Sequence, residues 1–132
     1  LSWEDIRALH DSGLVEIGNH SYDMHSLITR RGCMKAPGEG DASYRRALEN
    51  DLEKLQSALG ENSGVTPEVF TYPYGLVSKP SLEVVKAMGF KAALTCEERV
   101  NRITGDPEEL YSLGRFNRPA GVSTQNFMAR LS

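Results

Sequence analysis

Two of the three histidines in the chain, His20 and His25, fall in one short stretch, Asn19-His20-Ser21-Tyr22-Asp23-Met24-His25. A neutral imidazole offers a lone pair near physiological pH and suits zinc and related divalent ions. The spacing restricts how the two rings could meet. Residues five apart are turned by about 140° on a helix, and on a strand they face opposite sides. Convergence therefore needs His20 at the end of a strand and a turn that folds His25 back. Without that turn the two are solvated loop histidines. Asp23, between them, has three open roles: a ligand, an acceptor for an imidazole N–H, or a turn residue. His10 stands apart with no ligand-type partner at useful spacing and reads as structural.

A second stretch, Phe70-Thr71-Tyr72-Pro73-Tyr74-Gly75, places aromatic residues at the end of an apolar run. Aromatic faces stack on the apolar faces of sugar rings, and an exposed backbone N–H can stabilise an oxyanion. The same residues would equally form an edge strand stopped by proline, with tyrosines filling core. A third stretch, Thr95-Cys96-Glu97-Glu98-Arg99, carries two carboxylates. Arg115 and Arg118 flank Phe116-Asn117 and either pair with a carboxylate or face water. Cys33 and Cys96 are too few for a zinc knuckle or a disulfide framework, and two unpaired thiols are expected over one bridge.

These stretches have to be held by regular elements. Ser2 and Asp5 form a capping-box pattern ahead of a helix over 3–11, with Gly13 to stop it. Leu14 to Gly18 reads as a short strand leading into the histidines, and 27–42 as a loop rich in Gly, Pro and Arg. Tyr44, Leu48, Leu52, Leu55 and Leu59 recur at helical spacing, with Gly60 as the expected stop. Val69–Tyr72 and Phe90–Thr95 read as strands around a helix capped by Ser81 and ended by Gly89. Leu110–Phe116 reads as a further strand, and Ser123 as the cap of a last helix bearing Phe127 and Leu131. Helices alternating with short apolar strands predict an α/β parallel arrangement. Working residues then belong in the loops at strand carboxyl ends, here those after Gly18, Tyr72 and Leu94.

Composition narrows the remaining choices. The chain has 132 residues, 15 basic against 18 acidic side chains, and 39% apolar residues. That is ordinary globular composition, with one core and no long apolar run to span a membrane. No basic block supplies an electrostatic footprint for nucleic acid, so no nucleic-acid partner is expected. The sequence opens on Leu1, directly at a helix cap, and reads as a piece of a longer protein.

Taken together, these stretches resemble the polysaccharide deacetylases of the NodB-homology type, carbohydrate esterase family 4. Gly18-Asn19-His20-Ser21-Tyr22-Asp23-Met24-His25 is similar to the family's second motif, whose two histidines bind the metal. The gap here is one residue longer than usual and resembles the subgroup that deacetylates poly-N-acetylglucosamine exopolysaccharide. Phe70-Thr71-Tyr72-Pro73-Tyr74-Gly75 resembles the third motif, one wall of the substrate groove. The likeness covers nearly the whole chain. It implies a distorted (β/α) barrel, incomplete here: about four strands can be read, against roughly seven or eight for a closed barrel. Residues 1–132 would then be a deacetylase catalytic domain lacking the N-terminal strand or strands with an Asp-Asp motif.

The resemblance implies a metal-dependent hydrolase that removes N-acetyl groups from N-acetylglucosamine polysaccharide. Its cofactor would be a divalent ion, zinc, held by His20, His25 and an aspartate outside this chain. The Tyr74 backbone N–H would face the oxyanion, and Tyr72, Pro73 and Tyr74 would contact sugar. The location implied is extracytoplasmic, either secreted or associated with the bacterial cell envelope. Three departures stand against this pattern. No Asp-Asp pair occurs, so the general base is missing; Thr71 lies near the position of a family arginine; and Leu113-Gly114-Arg115-Phe116-Asn117-Arg118 has no histidine to serve as general acid. The chain by itself is therefore expected to be inactive. The alternative is a non-catalytic carbohydrate-binding or scaffold domain with a degenerate site.

Overall fold

A computed structural model describes residues 1–131. Its elements run α1 (Trp3–Asp11), α2 (Asp41–Ser63), β1 (Val69–Thr71), α3 (Ser81–Ala87), β2 (Ala92–Leu94) and α4 (Thr124–Met128). Short 3-10 turns occupy Pro73–Gly75, Pro107–Ser112 and Ala129–Leu131. Strands β1 and β2 pair in parallel, with Phe70 opposite Ala93. Asn19 forms an isolated parallel bridge to Phe70 on the other edge of β1, and Leu113 does the same to Leu94 of β2. Four chain segments thus lie side by side in the order Asn19, β1, β2, Leu113. All run the same way, so His20, Tyr72, Thr95 and Gly114 leave from one edge. This is the α/β parallel arrangement read from the sequence.

The core is built where α2 and α3 cover that sheet. Tyr44, Leu48, Leu52, Phe70, Tyr72, Val85 and Ala93 are fully buried, with Phe90 and Val84 nearly so. Phe70 packs edge-on against Tyr72, with ring centroids 4.7 Å apart, and lies 5.8 Å from Phe90. The Tyr44 hydroxyl donates to the Cys33 carbonyl at 2.6 Å, tying the loop before α2 to the helix. Burial pushes the Cys33 thiol up to about 12, so it is inert packing. Both cysteines are free, as expected.

Several boundaries differ from expectation, each for a local reason. Leu14–Gly18 is not a strand; only Asn19 bridges β1, and Leu14 is 90% exposed because nothing among the described residues covers it. Gly60 does not stop α2. The helix runs to Ser63, and Gly64 at φ 73° closes it by donating to the Gly60 carbonyl. Leu110–Phe116 is not a continuous strand: its first three residues finish a 3-10 turn that Pro107 opens and the Asp106 side chain caps at the Glu108 N–H. Only Leu113 of that segment pairs with the sheet. Ser81 is not a cap either: it is the first helical residue, buried, its hydroxyl donating to the Ser78 carbonyl at 2.6 Å. The Ser2–Asp5 capping box and the Ser123 cap form as the sequence predicts.

Leu52 carries the junction of α2 with the strand edge, so Leu52→Ala is expected to cost about 2–5 kcal/mol. Denaturant unfolding of the two proteins measures it.

Candidate metal-binding site at the strand edge

His20 follows the bridge residue Asn19 directly, which fixes where its ring can go. Its Nδ1 lies 2.7 Å from the Thr71 carbonyl oxygen at the end of β1. A carbonyl only accepts, so Nδ1 carries the proton and the neutral ring keeps its lone pair on Nε2. Backbone carbonyls commonly orient metal-binding histidines in this way. The turn needed to bring back His25 is present. Ser21 takes φ 69°, and the His25 ring comes to 5.0 Å from that of His20, at 65° between planes.

That spacing can be tested against a shared ion. A Zn–N bond of about 2.0–2.1 Å plus a ring radius of about 1.1 Å places two imidazole centroids about 5 Å apart at a tetrahedral angle. The observed separation of the ring centres matches that value. The Ser21 hydroxyl, between the histidines in sequence, is shielded from solvent and has no hydrogen-bond partner among the described residues. The donor set is incomplete, however. Among the described residues no group of three or more His, Cys, Asp or Glu could hold a metal. Asp23 thus makes no third ligand here; its backbone N–H donates to Asp51 instead. His10 is exposed on α1, away from this pair.

The aromatic stretch adjoins the histidines. Tyr74 stands at φ 58°, an uncommon conformation for a non-glycine residue, held within the Pro73–Gly75 turn. Its ring lies 4.3 Å from that of His25, and its hydroxyl donates to the His25 carbonyl at 3.3 Å. Its own backbone N–H has no partner among the described residues. Tyr72 and Pro73 sit differently from expectation. Both are fully buried, and Tyr72 shares a hydrogen bond of 3.2 Å with Ser81. A groove wall here would expose Tyr74, which is 39% accessible, and would rest on Tyr72 and Pro73 beneath it.

Two glycines let neighbouring loops close on this turn. A Cβ on Gly32 would come 2.8 Å from the Pro73 carbonyl, and one on Gly75 would come 2.5 Å from the Cys96 nitrogen. The loop after β2 is thereby brought against Gly75. A cavity of about 440 Å³ opens there, lined by Cys96, Glu98, Arg115, Phe116 and Asn117. Arg115 donates to the Thr95 carbonyl at 2.8 Å and to Cys96 Sγ at 3.0 Å, while Arg118 bonds the Thr124 hydroxyl. Among the described residues neither arginine meets a carboxylate. Glu98 pairs with Arg130, which holds its carboxyl below the usual range.

The loop bearing Gly32 is braced from within. Arg30 grips Glu39 with two bonds of 2.6 and 2.7 Å, and Glu39 also accepts the Ala36 N–H at 2.9 Å. These bonds hold the Glu39 carboxyl down at about 2.

A family model described as polysaccharide deacetylase matches residues 2–93. The chain belongs to the polysaccharide deacetylase family. A poly-beta-1,6-N-acetyl-D-glucosamine N-deacetylase from Staphylococcus aureus is 27% identical over 111 residues, 84% of this chain and 36% of the relative. One from Escherichia coli is 26% identical over 73% of this chain and 16% of its own length. This deacetylase-family chain thus spans about a third or less of those relatives. Among solved structures, IcaB from Ammonifex degensii matches with a TM-score of 0.74 at 26% identity, covering 98% of this chain and 53% of that one. The BpsB deacetylase domain from Bordetella bronchiseptica gives 0.71 at 26% identity, over 87% and 48%. The fold is therefore of the NodB deacetylase type, and the sheet segment described above is part of such a barrel.

Sequence reasoning missed two residues that shape this deacetylase-family site. Asn19 is fully buried, its amide donating to the Leu52 carbonyl at 3.1 Å and to Gln56 at 3.2 Å while its oxygen accepts the Ser21 N–H at 2.9 Å. Asp51 is the other. A polar residue directly before the first histidine was a usable signal for Asn19; nothing local marked Asp51.

Two outcomes follow from the bracing contacts. Gly75→Ala is expected to destabilise by more than about 1 kcal/mol, combining positive φ with the Cys96 contact, as read by thermal unfolding. The lowered Glu39 carboxyl adds stability that is full above the usual 4.5 and lost as pH falls from there through about 2. The Tm difference between wild type and Glu39→Gln should shrink across that window, and a constant difference would contradict the assignment.

Proposed function

We propose that this chain is part of a metal-dependent N-deacetylase acting on N-acetylglucosamine polysaccharide. The observation that carries the reading is the His20–His25 pair, with Nε2 of His20 freed by the Thr71 carbonyl, beside the unpartnered N–H of Tyr74. The poly-beta-1,6-N-acetyl-D-glucosamine N-deacetylases to which the chain is similar support the substrate class. An extracytoplasmic location accords with a polymer substrate of that kind. Among the described residues no helix is long and apolar enough to cross a membrane.

His20 and His25 would hold a divalent ion, with zinc favoured by two neutral imidazole donors. Such an ion, when bound, polarises a carbonyl and lowers the pKa of water. The chain's own residues do the rest. The Thr71 carbonyl keeps His20 in one tautomer, so its proton never competes for the donor position. Tyr74 offers its backbone N–H where charge develops on an acetyl oxygen. The exposed Tyr74 ring orients the sugar, with Tyr72 and Pro73 supporting it. A third ligand and the general base are assigned to an Asp-Asp strand beyond these residues. This accords with the lack of a group of three ligand-type residues among those described and with the fraction of its relatives that the chain spans.

Zinc titration by calorimetry, with release of acetate from an N-acetylglucosamine oligomer, tests the reading. In the protein carrying the Asp-Asp strand, His20→Ala or His25→Ala should weaken zinc by at least about tenfold and abolish acetate release. The 132-residue chain alone should release none. Unchanged zinc affinity in both variants would refute the ligand assignment. Glycan binding without acetate release in the longer protein would favour a binding module.

A further inference from the structure

We infer that Asp51, on the middle of α2, is the positioning residue that folds the histidine loop into its metal-binding shape; this rests on the metal reading above. The two carboxylate oxygens of Asp51 divide their work. One accepts the Tyr22 N–H at 2.8 Å, and the other accepts the Asp23 N–H, also at 2.8 Å. These consecutive amides lie midway between His20 and His25, at the turn without which residues five apart would not converge. A carboxylate is suited to the task, because it accepts at both oxygens and donates at neither. Charge also makes these bonds stronger than neutral ones.

Other contacts from the same stretch of helix secure the loop on either side. The Leu52 carbonyl and Gln56 take the Asn19 amide at the start of the loop. Lys54 Nζ stands 3.9 Å from the centre of the Tyr22 ring. Asn19 fixes where the loop leaves the sheet, and Asp51 fixes where it reverses. Asp51 belongs to neither histidine's own contacts: His20 is oriented by Thr71 and His25 by Tyr74. Its hydrogen bonds to the loop are made to backbone amides.

The test compares Asp51→Asn with Glu49→Gln, an exposed change of the same kind on the same helix. An amide in place of the carboxylate turns one acceptor into a donor facing an N–H. Two readouts are taken on the folded proteins, each carrying the Asp-Asp strand: zinc affinity by calorimetry, and hydrogen exchange at the Tyr22 and Asp23 amides. Asp51→Asn should weaken zinc by about tenfold or more and remove protection at those two amides. Glu49→Gln should leave both unchanged. A role confined to helix stability would lower Tm and leave the folded protein's zinc affinity at its wild-type value. Equal zinc affinity in Asp51→Asn and wild type overturns the inference. So does a wild type in which the Tyr22 and Asp23 amides exchange as freely as neighbouring loop amides, a readout that stands if the variant fails to fold. Zinc binding lost in His20→Ala but kept in Asp51→Asn brings down this inference alone. No zinc binding by the wild type brings down the metal reading with it.

Discussion

The carbonyl of Thr71 accepts from His20 Nδ1 at the point where β1 ends, and the chemistry of the strand edge depends on that bond. Its effect is to choose a tautomer. With the proton on Nδ1, the other ring nitrogen is the only donor His20 can offer. The bond exists because Asn19 is in register with Phe70, which sets His20 beside Thr71. Register in turn follows from burial: Phe70 is fully buried on one face, and a slip of one residue would turn it outward. Core packing and the tautomer of His20 are therefore linked through two adjacent residues on each of two segments.

The rest of the site is arranged around the same edge. Parallel pairing brings the ends of four segments together, so each following loop competes for one small region. Glycines at 32 and 75 relieve that crowding, because a side chain at either would strike backbone. Tyr74 accepts an unusual φ and in return presents both a ring and an unpartnered N–H. Buried Tyr72 bonds Ser81 of α3 and so fixes the turn from below.

The sequence made the chemistry more legible than the boundaries. His20 and His25 stand out by residue type, and their spacing makes convergence depend on a turn, which the structure contains. The long helix was legible because its apolar residues keep a strict period from Tyr44 to Leu59. Its end was not, since an interior glycine costs only about 1 kcal/mol and tertiary packing overrides it. Leu14–Gly18 and Leu110–Phe116 carry strand-like composition, yet strand formation needs a paired neighbour along its length. Leu110–Phe116 has one bridge, at Leu113, and Leu14–Gly18 has none, its neighbour Asn19 making the contact instead. The family resemblance puts Tyr72 in the groove wall, whereas the alternation carried on from β1 sends it to the buried side with Phe70. Asp51 could not be read at all, because its partners are backbone amides some thirty residues away.

Nitrogen-15 NMR of the histidine side chains examines the central bond most directly, in the metal-free chain at a pH where imidazoles are neutral. The account predicts that His20 is held as the Nδ1–H tautomer, with Nε2 unprotonated and the first nitrogen to shift when zinc is added. A His20 ring found as the Nε2–H tautomer, or averaging freely between the two, would contradict it.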